Sequence, residues 1–410
     1  MKVLFLSQIV PYPPHGGVLQ RGYNLVRELG REAHVHLLAF VHPDVLPTEA
    51  ACCESQAALE KFCEAVEYFP LWPKASPVHR IAGLAVGAFS PRPFSVLAHR
   101  SAAFLRRVSE LVETKQFDVI HVDTIALAQF LDRKWSIPTV LTHHNIESQL
   151  MDRRAGAESG LLARLYLQRE TKKLQSYEAE MSGTFDVNVF VSKADEHTML
   201  ERVPALCTAI VPNGVDVEYF MPNQGPDAPS LIYTGGMNMF ANRDAVMFFL
   251  SDIWPLIRSR VPGVKFYAVG QDPPKELSSL AARDPQIVVT GYVTDVRPLV
   301  RDASVYVVPL RVGGGTRLKV LDAMAMGKAM VSTSIGCEGL EVCPDEHLLV
   351  ADSPEQFSEK TVRLLQDSGC RLTLGRTARE LVERRYSWRT IGEQLLDAYR
   401  IAIEKKRQMR

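Results

Sequence analysis

An apolar run, Ala303-Ser-Val-Tyr-Val-Val-Pro-Leu310, leads directly into Arg311-Val-Gly-Gly-Gly-Thr-Arg-Leu-Lys-Val-Leu-Asp322 and Ala-Met-Ala-Met-Gly327. The valine-rich run predicts a buried strand. Three glycines then let the chain reverse, and the pattern from Thr316 to Met326 predicts a helix. Strand, glycine turn and helix form the repeating unit of a parallel sheet covered by helices. Such a turn aims backbone N–H groups, at the positive end of a helix dipole, where an anion can sit. Arg317 and Lys319 add positive charge to that place. A tight turn without a ligand explains the glycines alone equally well.

Neither of the two commonest phosphate loops fits. Gly313 to Lys319 lacks the Gly-x-x-x-x-Gly-Lys-Ser/Thr spacing. No Gly-x-Gly-x-x-Gly opens an early βαβ unit with an acid about 20 residues on. A dinucleotide oxidoreductase is therefore disfavoured.

The rest of the chain repeats the unit. Lys2–Ser7, Ala33–Phe40, Val119–Val122, Thr139–Thr142 and Val187–Val191 read as strands, with a helix over Arg21–Leu29. After a turn at Asn213-Gly-Val-Asp216 and a loop-rich Pro222–Pro229, a second series begins. Its strands are Ser230–Thr234, Val264–Val269, Ile287–Thr290, Val305–Leu310, Ala329–Ser332 and Leu348–Val350. Helices are expected near Asp244–Arg258, Val296–Arg301, Thr316–Met326 and Ile391–Lys406. Two βα series joined near residue 210 predict two doubly wound α/β domains facing each other, with ligands beyond the carboxyl ends of the strands.

Composition narrows the function classes. The chain has 410 residues, with 47 acidic and 47 basic ones and no formal net charge, so global attraction to nucleic acid is not indicated. Seven scattered cysteines, with no Cys-x-x-Cys, argue against a disulfide framework or zinc site and for a reducing, cytoplasmic setting. The N-terminal apolar stretch is too short for a signal peptide and is followed by prolines without a small-residue cleavage site. No run is long enough for a transmembrane helix.

The loops after strands carry the chemistry. Gly16 and Gly17, after the first strand, would bring backbone close to a ligand at a helix start, and a proline-stiffened turn explains them equally well. Thr142-His-His-Asn-Ile-Glu147 ends the fourth strand. Adjacent strand residues point oppositely, so at most one of His143 and His144 does chemistry. Asn145 is the expected N-cap of the next helix. Tyr233-Thr-Gly-Gly-Met-Asn-Met-Phe-Ala-Asn-Arg-Asp244 is a second glycine loop, and backbone at Gly291–Arg297 suits a base edge or a simple βα turn. On the Thr316 helix, Gly315, Lys319 and Asp322 share a face. A Lys319–Asp322 pair on a solvated face is the plainer alternative.

Together these loops resemble the retaining glycosyltransferases of the GT-B fold, family four (group 1). The resemblance rests on Pro212-Asn-Gly-Val-Asp216, Tyr233–Met237 with Asn242–Ala245, Gly291–Asp295, Gly313–Gly327, Ser334–Leu340 and Tyr386-Ser-Trp388. In the first half it rests on Pro13–Gly17, Asp118–Asp123, His143–Glu147 and Val191–Asp195. It implies two facing Rossmann-like doubly wound domains with a deep interdomain cleft. Residues 1–208, completed by the helix 390–410, form the acceptor side, and 209–389 bind the donor.

The resemblance further implies a nucleotide-diphosphate sugar as donor, UDP- or GDP-linked, and no cofactor. The acceptor is a hydroxyl of a glycan, lipid-linked or small molecule. The family's catalytic-site histidine maps to His144. Its Glu-x7-Glu motif falls on Gly314 and Asp322, so the first carboxylate is missing and the second, a ribose-hydroxyl acceptor, is kept. Donor contacts fall on Gly16, Gly17, Gly235, Gly236, Val293, Gly314, Gly315, Thr316, Arg317, Leu318, Lys319 and Asp322. Acceptor-side candidates are His15, Asp123, His143 and Asn145. Where many members place Arg and Lys to hold the diphosphate, this chain has Gly236 and Ala241. Arg317 and Lys319 are the expected compensation. No Asp-x-Asp occurs, so no essential divalent metal is expected. A sugar-nucleotide 2-epimerase and a non-catalytic sugar-nucleotide-binding protein share the architecture and remain alternatives.

Trp72–Arg80, Arg92-Pro-Phe94 and a basic helix over Arg153–Lys173 mix apolar and basic residues. They suit peripheral contact with the inner face of a membrane or a lipid-diphosphate acceptor, and a solvated basic helix equally.

Overall fold

The first strand, β1 (Lys2–Ser7), is buried from Val3 to Ser7. A strand apolar on both faces needs cover on both sides, which a parallel sheet with crossover helices supplies. The computed structural model describes residues 1–14, 16–71, 87, 90–131, 135–158, 160–223, 228–312 and 317–408. It divides into two compact units, Met1–Pro212 with Ile391–Arg410, and Asn213–Thr390.

In the first unit β1 is joined by β2 (His34–Val41), β3 (Ala65–Pro70), β4 (Val119–Val122), β5 (Thr139–His143), β6 (Val187–Phe190) and β7 (Thr208–Ile210). All pair in parallel, in the order β3-β2-β1-β4-β5-β6-β7. The order reverses between β1 and β4, where Leu6 lies beside Val122. Phe40, Phe104 and Phe130 stack within the core, Phe104 lying 4.7 Å from Phe40 and 4.6 Å from Phe130. Truncating Phe104 to Ala should cost about 3–5 kcal/mol.

In the second unit β8 (Ser230–Thr234), β9 (Lys265–Val269), β10 (Ile287–Gly291), β11 (Val305–Val308), β12 (Met330–Ser332) and β13 (Leu349–Val350) form a parallel sheet. Its order is β10-β9-β8-β11-β12-β13, with the reversal between β8 and β11. Both sheets are thus doubly wound, as the alternating pattern predicts.

Several local expectations need correction. The edge strands β3 and β7 were not foreseen. The helix expected over Asp244–Arg258 begins at Phe240 and passes through a π turn, Phe249–Ile253, before resuming as Trp254–Arg260. Pro255 is the reason: it lacks an N–H and its ring opposes the preceding turn. The basic helix expected over Arg153–Lys173 is two helices, Glu147–Ala157 and Leu161–Ser182. Glu158 and Gly160 are extended between them, and Gly156 and Gly160 each weaken helix by about 1 kcal/mol.

The last helix, Trp388–Gln408, enters the first unit at Ile391. Its Tyr399 hydroxyl lies 2.9 Å from Nδ1 of His121 on β4. Among the described residues no helix is long and apolar enough to cross a membrane.

Candidate functional site

A doubly wound sheet opens a crevice where its strand order reverses. In the first unit that point lies past the ends of β1 and β4. The chain leaves β1 and reaches Gly16, whose φ of 93° suits glycine, before the helix Gly17–Glu32 begins. No side chain caps that helix start.

Asp123 follows β4 and is 1% exposed. His144 follows β5, and its Nε2 stands 3.3 Å from Asp123 Oδ1. His121 Nε2 is 3.7 Å from the same oxygen and 3.2 Å from Thr142 Oγ1. The His121 ring stacks on Phe5 at 4.3 Å. Burial alone would raise the Asp123 pKa. The charges and hydrogen bonds of His144 and His121 outweigh it and hold the carboxyl well below the usual range. Asp123 also faces buried Arg21, whose pKa burial pushes down to about 10 against the pull of that carboxylate. Arg21 donates to the carbonyls of Val211 and Pro212 at 2.8 and 2.7 Å.

His143 points the other way, as strand alternation requires. It is 2% exposed, stacked on Phe190 at 4.7 Å, with Nε2 3.0 Å from Asn188 Oδ1. Burial pushes its pKa down to about 4. It is a neutral core residue, which corrects its place among the acceptor-side candidates. Asn145 is not the N-cap: Ile146 holds that position without a side-chain bond. Ser148, the second residue of the helix, is buried against Glu178, to which its hydroxyl donates at 2.5 Å. His15 lies outside the described residues.

Glu147, the first residue of the helix after β5, also faces this site. Its carboxylate accepts from Thr124 Oγ1 at 3.2 Å. Burial, and then the neighbouring Glu178, push its pKa up to about 7, against Thr124 and His144. A carboxyl that exchanges its proton near neutrality, next to the His144–Asp123 pair, is suited to proton traffic.

In the second unit the reversal point lies past β8 and β11. Tyr233 is the last fully buried residue of β8, and its hydroxyl donates to Asn242 Oδ1 at 2.7 Å. Asn242 Nδ2 donates to the Gly236 carbonyl at 2.8 Å, fixing the glycine loop. Lys319 Nζ completes the group, donating to Tyr233 at 2.9 Å and Asn242 at 2.8 Å. A Cβ on Gly235 would lie 2.5 Å from that Nζ, so only glycine allows the approach. Burial, and then Arg317, push the Lys319 pKa down to about 7.

Asp322 lies one turn further along the same helix. Its Oδ1 is sealed from solvent and takes no hydrogen bond from any described residue. Burial pushes its pKa up to about 8. Beside it, the Tyr306 hydroxyl is 2.5 Å from Thr234 Oγ1. An oxygen acceptor near a lysine, both at the crevice of a doubly wound sheet, suits a ligand with hydroxyls and negative charge.

The helix itself starts later than expected. It spans Leu318–Ala325, and Arg317, at φ −86° and ψ 93°, is its extended N-cap. Lys319 and Asp322 do not form a solvated pair: Lys319 Nζ donates to Tyr233 and Asn242, while Asp322 Oδ1 is sealed from solvent without a hydrogen bond from a described residue. Arg311 is held by Asp244 at 2.6 Å. Gly314, Gly315 and Thr316 lie outside the described residues. Val293 is half-buried after β10. Tyr233, Asn242 and Glu147 make contacts at these points that local pattern does not single out.

Two doubly wound α/β units, each with polar groups at its reversal point, define the architecture of GT-B glycosyltransferases. The chain belongs to glycosyltransferase family four: the model of that family matches residues 15–219, half of the chain. The model described as glycosyl transferases group 1 matches residues 228–367. The protein is a glycosyltransferase. A relative, an uncharacterized 44.6 kDa protein in the cps region of Klebsiella pneumoniae, is 23% identical, with 88% of this chain and 90% of that one covered. Sucrose-phosphate synthase from Thermosynechococcus elongatus superposes with a TM-score of 0.67 at 17% identity, covering 98% of each chain. HepE from Anabaena, in complex with UDP, gives 0.65 at 15% identity, covering 97% of this chain and 99% of that one. These likenesses show the fold.

Proposed function

We propose that the protein is a retaining glycosyltransferase that moves a sugar from a UDP- or GDP-linked donor to a hydroxyl of a glycan, lipid-linked or small-molecule acceptor. The observation that carries this reading is Lys319, drawn against Tyr233, Asn242 and the Gly235 backbone at the reversal point of the second sheet. A cation set among loop amides and a helix start is suited to a diphosphate.

Arg317 and Lys319 then grip the leaving diphosphate, with Gly235, Gly236 and the Leu318 amide beside them. Their attraction grows as negative charge develops on the departing oxygen. Asp322 accepts the ribose hydroxyls, and the Val293 backbone meets the base edge. Gly16 and Gly17 offer amides to the phosphates. His144, oriented by Asp123, positions or polarises sugar hydroxyls. The acceptor oxygen attacks the anomeric carbon on the face that the diphosphate leaves, which retains configuration. The residues present ask for no metal in this scheme.

Among related folds, the structures of HepE with UDP and with UDP-glucose support a nucleotide-sugar donor. The Klebsiella relative of the cps region supports a role in polysaccharide assembly. A thermal-shift screen with UDP-, GDP-, ADP- and dTDP-sugars tests the donor, since a ligand that binds only the native state stabilises it by mass action. NMR of the product anomer tests retention. Failure of every nucleotide to stabilise the protein, or an inverted product, would overturn the reading.

A further inference from the structure

We propose that the helical hairpin formed by Glu147–Ala157 and Leu161–Ser182 docks the protein on an anionic lipid bilayer through its tip. The two helices pack along one another, and Glu158 and Gly160 are the extended caps that end the first and begin the second. The longer helix buries Leu167, Leu174 and Met181, a row spaced by seven. At about 100° per residue, Leu161, Leu162 and Leu165 fall on the face roughly opposite to that row. They are 71%, 82% and 53% exposed. Three leucines on the solvent side of a surface helix gain nothing from its own core, and so mark an interaction face.

The charges around them select the partner. Arg169 and Lys172, both exposed, lie on the same outward face, about 12–16 Å behind Leu161 along the axis. Arg164 flanks it. The one acid between Leu161 and Lys172 is Glu170, which is buried and bound to Lys173 and to the Phe94 N–H. An apolar tip with cations set back from it matches a bilayer, in which acyl chains lie beneath a layer of phosphates. A second copy meeting this face by two-fold symmetry would oppose like charges.

Flotation of the full-length protein with vesicles tests the assignment and reads lipid binding alone, so it fails separately from the glycosyl-transfer reading. Binding is expected to phosphatidylglycerol–phosphatidylcholine vesicles, with release by salt, and not to phosphatidylcholine alone. Leu161→Ser/Leu162→Ser/Leu165→Ser should weaken binding by about tenfold or more, since three apolar insertions are lost. Arg169→Gln/Lys172→Gln should weaken it about tenfold at low salt. Both variants change exposed side chains, and their melting curves should match the parent. Absence of binding to anionic vesicles, or a leucine variant that floats like the parent, would overturn the proposal. So would a dimer in sedimentation that the leucine variant dissolves.

Discussion

His144 Nε2 stands 3.3 Å from Asp123 Oδ1, and the same carboxylate oxygen is 3.7 Å from His121 Nε2. One buried anion therefore faces two imidazoles, and it is the accessible one that a substrate can meet. His144→Ala should lower kcat by about 100-fold, within the range of a lost acid–base or polarising group. Asp123→Asn should lower it by about tenfold or more while donor affinity changes little. Steady-state kinetics with saturating donor check both, and unchanged kcat in either variant would remove this pair from the chemistry.

Lys319 supplies a second prediction, through its pKa near 7. Above that pH the free lysine is mostly neutral, and a diphosphate must draw a proton onto it. Donor affinity should then fall by up to about tenfold per pH unit above pH 7 and level off below it. In Lys319→Ala the affinity should be weaker and this slope absent. Titration calorimetry in buffers of different ionisation enthalpy should show proton uptake on binding by the parent protein alone.

Asp322 makes a prediction for stability. Its folded pKa, near 8, lies well above that of an unfolded aspartate. The group's contribution is fully present below about pH 4 and is lost as pH rises through 8. Asp322→Asn removes that loss. The variant should gain at least about 1 kcal/mol over the parent between pH 5 and pH 8, read from denaturation midpoints. Asp322→Ala should also lose donor affinity, because no oxygen remains for the ribose hydroxyls.

Glu147, with its pKa near 7, should shape the pH profile of turnover. Glu147→Gln cannot ionise, so a limb with an apparent pKa close to 7 should disappear from kcat. Retention of that limb would assign it to another group.

Gly235→Ala tests the crowding directly. Its Cβ would meet Lys319 Nζ at 2.5 Å and Asn242 at 3.0 Å. The flexible lysine end would yield first, so donor affinity should fall by about tenfold with the fold intact. Gly270→Ala would drive its Cβ to within 2.0 Å of the Gly235 carbonyl oxygen, which is backbone and cannot step aside. That variant should lose about 1–3 kcal/mol or more of stability.

The strands most legible in the sequence were those buried on both faces. β1, β4 and β8 have the expected bounds because each is mostly apolar and almost wholly buried, even with His121 inside β4. β3 was missed because Glu67 and Tyr68 interrupt such a run at the sheet edge, where one side chain can reach solvent. The helix starts were misplaced where caps decide them: Asn145 had the right chemistry for a cap, yet Ile146 takes the position. In the sites, glycine loops and charged residues were visible locally. The contacts that tune them were not, since Lys319 reaches Tyr233 across 86 positions and Tyr399 reaches His121 across 278. Spacing along a chain carries no trace of such pairings.

The Tyr399–His121 contact has a consequence for synthesis. The ribosome releases the seven strands of the first sheet early, but the helix that carries Tyr399 emerges only after the whole of Asn213–Thr390. Until then His121 lacks the hydroxyl that meets its Nδ1. The unit made first is thus completed only after the second has been made, and the imidazole next to Asp123 gains its full set of partners only then.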